Sequence, residues 1–297
     1  MAKILLTGVD GFIGGHLARA LSARHDIVGL GTVRNEHYPV APLRLPHPDL
    51  EGLVAEVRPD VAIHCAGPAA VGPSLADPES DFAGSVPVLF QLLDVVRRRR
   101  PGCRIIFPSS AAVYGQPETL PVAETARLRP ISPYGFHKLV CETLLAEFRE
   151  IYGLHATVLR IFTCYGPGLR KQLLWDVCMK AKSGAVPLSG TGEESRDFLH
   201  VADLARLVSL LVARPPEAFV LNAASGQAVT VARVARLLLA GLGRPDLAPE
   251  FSNLGRPGDP GHWRADVSAL AALGFTPQIS LEEGVTDYAR WFTQALS

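Results

Sequence analysis

The chain has 297 residues, 48% hydrophobic and 20% charged, which excludes a disordered polypeptide and suits a soluble α/β protein with a substantial buried core. Basic and acidic residues number 29 each and the net charge is zero, so a polyanion such as nucleic acid is excluded as an expected partner, although a few local arginines can still bind a small anion. No apolar stretch approaches the ~18 residues that cross a bilayer, and the five cysteines and nine histidines show neither CxxC nor HExxH spacing. Reduced thiols, a cytoplasmic location and no metal site are therefore expected.

Residues 4–6 form a short apolar run that predicts a first strand. It is too brief for the apolar core of a signal peptide. The segment Gly8-Val9-Asp10-Gly11-Phe12-Ile13-Gly14 follows at once, and Ile13, Leu17 and Leu21 then recur at helical spacing over 12–23. Glycines between a strand and an amphipathic helix read as a phosphate-binding turn. Gly8 makes the tight bend, Gly11 lets the backbone approach a pyrophosphate at the helix N-terminus, and Gly14 permits close helix–strand packing. Residues 27–30 predict a second strand. Its tip reads Gly29-Leu30-Gly31-Thr32-Val33-Arg34 and lacks the acid that would hold the ribose hydroxyls of NAD. Arg34 and the Thr32 hydroxyl can instead pair with a 2′-phosphate. NADP is the expected cofactor, with NAD as the alternative.

Farther along, 61–64 predicts a strand after the turn signal Arg58-Pro59-Asp60. Residues 86–96 predict a helix with Pro87 in its first turn, where proline is tolerated. The run Arg97 to Arg100 is a solvated helix end favoured by the dipole. Residues 104–107 predict a strand, and Ser110 follows at its C-terminal edge, where such sheets bind ligands. A helix is predicted over about 134–152 and carries Tyr134 and Lys138 four residues apart, on one face. A free phenol titrates near ~10, and a neighbouring ammonium stabilises its anion, so this pair can move a proton near neutral pH. Residues 156–162 predict another strand. Repeated β-α units imply a parallel, doubly wound sheet of Rossmann type. After residue 165 glycine and proline become frequent and the alternation turns irregular. This predicts a dinucleotide-binding domain over 1–165, with a returning segment about 196–225, and a smaller mixed α/β substrate domain over 166–297.

The pieces Thr7-Gly8-x-x-Gly11-Phe12-Ile13-Gly14, Ser109-Ser110-Ala111-Ala112-Val113-Tyr114-Gly115, Pro133-Tyr134-Gly135-x-x-Lys138, Tyr165-Gly166-Pro167-Gly168, Ser195-Arg196-Asp197-Phe198-Leu199-His200-Val201 and Arg256-Pro257-Gly258-Asp259 resemble those of an extended short-chain dehydrogenase/reductase of the NAD-dependent epimerase/dehydratase family. The resemblance spans nearly the whole chain. It implies that Tyr134 is the acid/base, that Lys138 supports it and that Ser110 is the third catalytic member. The expected contacts to the dinucleotide are then Gly8, Gly11, Phe12, Ile13 and Gly14 of the turn, Thr32 and Arg34 at the tip of the second strand, and Ala66, besides Tyr134 and Lys138. The resemblance also implies that Arg196 and Arg256 grip the diphosphate of a nucleotide-linked sugar, as a guanidinium fork can; Ser74, Thr163 and Arg170 are further expected substrate contacts, with ordinary helix packing an equal alternative for Arg170.

The departures narrow the chemistry. Family 4,6-dehydratases carry Asp-Glu where this chain has Ala111-Ala112, and bifunctional epimerase-reductases carry a cysteine where it has Ala111. Thr163 replaces the asparagine found there in many sugar-nucleotide epimerases. Three functions compete: a 4-ketoreductase of an NDP-4-keto-hexose using NADPH, which is the leading expectation; a C4 epimerase with tightly held NAD; and a non-catalytic dinucleotide sensor, which retention of Tyr134 and Lys138 argues against. Apolar surface at Val140, Leu144, Leu145 and Phe148 suggests a homodimer.

Overall fold

A computed structural model describes residues 1–296 apart from 34, 256, 257 and 259. In chain order the elements are β1 (Lys3–Thr7), α1 (Phe12–Ser22), β2 (Asp26–Leu30), β3 (Val40–Ala41), α2 (Leu50–Val57), β4 (Val61–His64), α3 (Val71–Ala76), α4 (Pro78–Ala83), α5 (Val86–Arg99), β5 (Arg104–Ser110), α6 (Pro133–Tyr152) and β6 (Ala156–Ile161). After these come β7 (Thr163–Tyr165), α7 (Gln172–Lys182), β8 (Val186–Leu188), β9 (Ser195–His200), α8 (Val201–Ala213), β10 (Val220–Ala223), β11 (Ala228–Thr230), α9 (Val231–Gly241), β12 (Pro249–Phe251), α10 (Ser268–Ala272) and α11 (Leu281–Ala295).

A seven-stranded sheet has the order β10-β6-β5-β4-β1-β2-β3, and the pairings from β6 through β3 are parallel. Strands covered on both faces are continuously apolar: Ile4, Leu5 and Leu6 of β1 and Val61, Ala62 and Ile63 of β4 are fully buried. Order reverses between β1 and β4, the switch point of a Rossmann-type sheet, beside which ligands bind at the strands' carboxyl ends. The register aligns Thr7 with Leu30 and with His64 at that edge. Leu50, Val54, Leu89, Leu92, Leu93, Cys141, Leu145 and Phe148, from α2, α5 and α6, pack into one core with Leu5, Ala62 and Phe107 of the sheet.

The chain divides into two compact units. The first comprises residues 1–115, 127–161 and 205–221, and the second 116–126, 162–204 and 222–297. Within the second, β9 is the middle strand of a sheet ordered β11-β9-β7, antiparallel to β11 and parallel to β7, and β12 pairs with β8. Asp197 of β9 is fully buried and accepts hydrogen bonds from the amides of Ser225 (2.7 Å), Gly226 (2.9 Å) and Ala265 (3.1 Å) and from the Ser225 hydroxyl (2.7 Å). Asn222 donates from its side chain to the Val122 carbonyl at 2.9 Å, and its amide donates to Glu124 Oε1 at 2.9 Å. These bonds sew residues 116–126 into the second unit. All five cysteines are free thiols; Cys65 is half-buried and the others buried. No described helix is long and apolar enough to cross a membrane.

Candidate active site

The glycine turn is built as its spacing demands. Gly8 adopts φ 73°, and a Cβ there would stand 2.6 Å from the Ala66 nitrogen at the end of β4. A Cβ on Gly14 would strike the Gly8 carbonyl, which lets α1 sit hard against the turn. A Cβ on Gly11 would stand 3.2 Å from the Gly8 oxygen, so a side chain there would crowd the turn. Gly11 caps α1 with no side-chain acceptor, which leaves first-turn amides to face an anion. The turn therefore fits the diphosphate of a dinucleotide. Phe12 and Ile13 form the first turn of α1, with Phe12 edge-on to His16 at 5.3 Å. The Ala66 amide donates to the Thr7 hydroxyl oxygen at 3.1 Å.

At the tip of β2, Thr32 is held by Asp10. Its amide donates to Asp10 Oδ2 at 2.5 Å and its hydroxyl donates to the same oxygen at 2.9 Å. The hydroxyl proton is thus committed to a carboxylate. Arg34 lies outside the described residues.

Ser110, Tyr134 and Lys138 all belong to the first unit. Ser132 caps α6 by accepting the Gly135 amide at 3.2 Å, with Pro133 in the first turn, so Tyr134 emerges one residue inside a well-started helix. A Cβ on Gly135 would lie 2.7 Å from the Ala112 carbonyl oxygen. That close approach seats the Tyr134 turn against the short 3₁₀ turn Ala111–Val113, which Ser110 caps by accepting the Ala112 amide at 3.2 Å. Lys138 Nζ donates to the Pro108 carbonyl at 3.1 Å and stands 4.7 Å from the Phe107 ring centroid and 5.8 Å from that of Tyr134. Its charge is felt at the end of β4. Burial first, and the Lys138 ammonium second, push His64 down to about 3. Burial pushes the Cys65 thiol up to about 12 against the opposing pull of the same ammonium.

Ser74, expected to touch substrate, is fully buried. It donates to the Val71 carbonyl at 2.7 Å and accepts the Tyr134 amide at 3.1 Å. Its only proton is spent, so it positions the start of α6 rather than offering a donor to a sugar.

The remaining substrate candidates lie in the second unit or outside the described residues. Thr163 opens β7 opposite Phe198. Arg196 Nη1 donates to the carbonyls of Ser195 (2.9 Å) and Gly261 (3.0 Å), with its guanidinium 5.7 Å from the Trp263 ring. The Arg170 guanidinium lies 5.7 Å from the rings of both Trp175 and Trp291, a stacking role that spacing along the sequence does not reveal because Trp291 is on α11. Arg256 lies outside the described residues. Sequence reading also passed over Asp10. An acid inside a turn built for phosphate is chemically out of place, and that was its signal.

A family model described as "NAD dependent epimerase/dehydratase family" matches residues 4–224. The dTDP-L-rhamnose 4-epimerase of Burkholderia thailandensis is 29% identical over 353 residues, covering 99% of this chain and 96% of its own. Among solved structures, a UDP-N-acetylglucosamine 4-epimerase from Methanobrevibacter ruminantium in complex with UDP-N-acetylmuramic acid matches with a TM-score of 0.90 at 27% identity over 99% of each chain. A UDP-glucose 4-epimerase from Thermus thermophilus in complex with NAD matches with a TM-score of 0.89 at 27% identity, over 98% of this chain and 99% of that one.

Proposed function

The chain belongs to the NAD dependent epimerase/dehydratase family, and from that premise we propose that it interconverts nucleotide-linked sugars differing in configuration at C4, with NAD as a retained cofactor. The observation that carries this reading is the Lys138 ammonium anchored on the Pro108 carbonyl and facing the Tyr134 ring, beside the turn capped by Ser110. That arrangement would serve a 4-ketoreductase equally well, and it is the relatives that favour a 4-epimerase with NAD over the 4-ketoreductase and NADP expectations. The three relatives named above differ in sugar, one with dTDP and two with UDP, but are all 4-epimerases, and the one whose cofactor is named holds NAD.

NAD bound at the glycine turn supplies a hydride acceptor and donor for the sugar carbon. Tyr134 takes the proton of the C4 hydroxyl as that carbon is oxidised, and returns it after the sugar has presented its other face. Lys138 is the positive charge beside that phenol and would also hold a ribose hydroxyl of the cofactor. The Ser110 oxygen accepts the Ala112 amide, which leaves its proton to donate to the same sugar oxygen. We assign the dinucleotide to the first unit, and the diphosphate of the sugar nucleotide to Arg196 and Arg256. A second copy of the chain is proposed to cover the exposed Phe90 of α5 and Phe136 and Val140 of α6.

The test is proton NMR of UDP-, dTDP-, GDP- and CDP-hexoses incubated with the protein and NAD⁺. Appearance of the C4 epimer without net change in NADH is the expected result. Stoichiometric NADPH consumption on a 4-keto sugar nucleotide, with no epimer formed, would restore the reductase.

A further inference from the structure

The tip of β2 runs Leu30-Gly31-Thr32-Val33 and carries no acid of its own, yet a carboxylate stands there. Asp10 reaches across from the glycine turn. Its Oδ2 accepts the Thr32 amide at 2.5 Å and hydroxyl at 2.9 Å, and its Oδ1 lies 3.4 Å from the Val33 nitrogen. A Cβ built on Gly31 would lie 2.7 Å from both oxygens. The carboxyl group therefore fills the place where a side chain on residue 31 would begin, and it can do so only because residue 31 is glycine. In a doubly wound sheet, the end of the second strand is where an acid holds the adenosine ribose hydroxyls.

We propose that Asp10 is this chain's ribose-binding acid, delivered from the turn instead of from the strand, and that it selects NAD over NADP. Two features support the assignment. The bonds from Thr32 and Val33 fix the carboxylate at the tip while leaving it acceptor capacity, since an ionised carboxyl group has about four lone-pair sites. The same charge that accepts from ribose hydroxyls repels a 2′-phosphate. The proposal rests on the dinucleotide-dependent function above for the identity of the ligand.

Calorimetry of the nucleotide-stripped protein with NAD⁺ and NADP⁺ tests it without any sugar, so failure of the epimerase reading would show separately in the NMR assay. Wild type is expected to bind NAD⁺ at least about tenfold more tightly than NADP⁺. Asp10→Asn keeps an acceptor for Thr32 but drops the charge, and should shrink that ratio by roughly ten- to a hundredfold. Equal or tighter NADP⁺ binding by wild type overturns the proposal, most directly if Arg34→Ala then abolishes it. An unchanged ratio in Asp10→Asn overturns it equally.

Discussion

A phenol that exchanges a proton acts through a single O–H, so Tyr134→Phe is the narrowest probe of the proposed chemistry. Turnover is expected to fall by roughly 10²–10⁴-fold with circular dichroism and melting temperature unchanged. Wild-type turnover on an identified substrate would remove Tyr134 from the mechanism. His64 sits at the floor of the same region, buried and bonded to the Thr7 hydroxyl at 2.9 Å. Burial and the Lys138 ammonium push it from its ordinary 6.5 down to about 3. Between those values the unfolded chain binds a proton that the folded chain refuses. Stability from this group is therefore complete above about pH 6.5 and drains away as acid is added, by at most about 1.4 kcal/mol per pH unit. Urea titrations from pH 6.5 to 4.5 should show that slope, and His64→Asn should lose this share of it; an identical slope in the variant would acquit the histidine.

The elements that carry the site are tied by one buried ion pair. Arg160 of β6 meets Glu142 of α6 at 2.7 Å, Ser109 of β5 donates to Glu142 at 2.5 Å, and Arg160 donates to the Tyr114 hydroxyl at 3.0 Å. Arg160→Ala leaves a buried carboxylate unpaired and should cost about 3–5 kcal/mol by urea denaturation, whereas Arg160→Met combined with Glu142→Leu should recover much of the loss. A double variant no more stable than Arg160→Ala would contradict this. Most of the elements lining this region were legible in the sequence. The strands near residues 4–6, 61–64 and 104–107 announce themselves as apolar runs, and α6 was expected over about 134–152, with its Ser132 cap visible only in the structure. The short β3, α3 and α4 offer too few residues for a period to register. The carboxylate at the tip of β2 was not legible there, because it arrives from a turn 22 residues earlier. Residues 116–126 join the second unit through the side chain of Asn222, a partner about a hundred positions away, and no local pattern encodes such a bond.

Assembly and opening belong to the whole chain. The sequence argument for a dimer named Val140, Leu144, Leu145 and Phe148. Leu145 and Phe148 turn out to lie inside the core, with Leu144 packed partly buried against it. Exposed apolar side chains on these two helices include Phe136, at 53%, with Val140 at 40% on the same helix and Phe90 at 47% on α5. Light scattering at micromolar concentration should give the mass of two chains, and Phe136→Glu should halve it; a wild-type monomer defeats the proposal. The buried thiols hold a further consequence. Burial pushes Cys103 and Cys178 up to about 12, so at neutral pH neither presents appreciable thiolate to an electrophile. Alkylation by a maleimide must then wait for the chain to open, and each adduct becomes the tick of a clock. Cys103 belongs to the first unit and Cys178 to the second, so peptide-resolved mass spectrometry would keep two times on one molecule. Saturating NAD⁺ should slow the first hand of that clock, because a ligand bound only to the folded state makes every opening rarer.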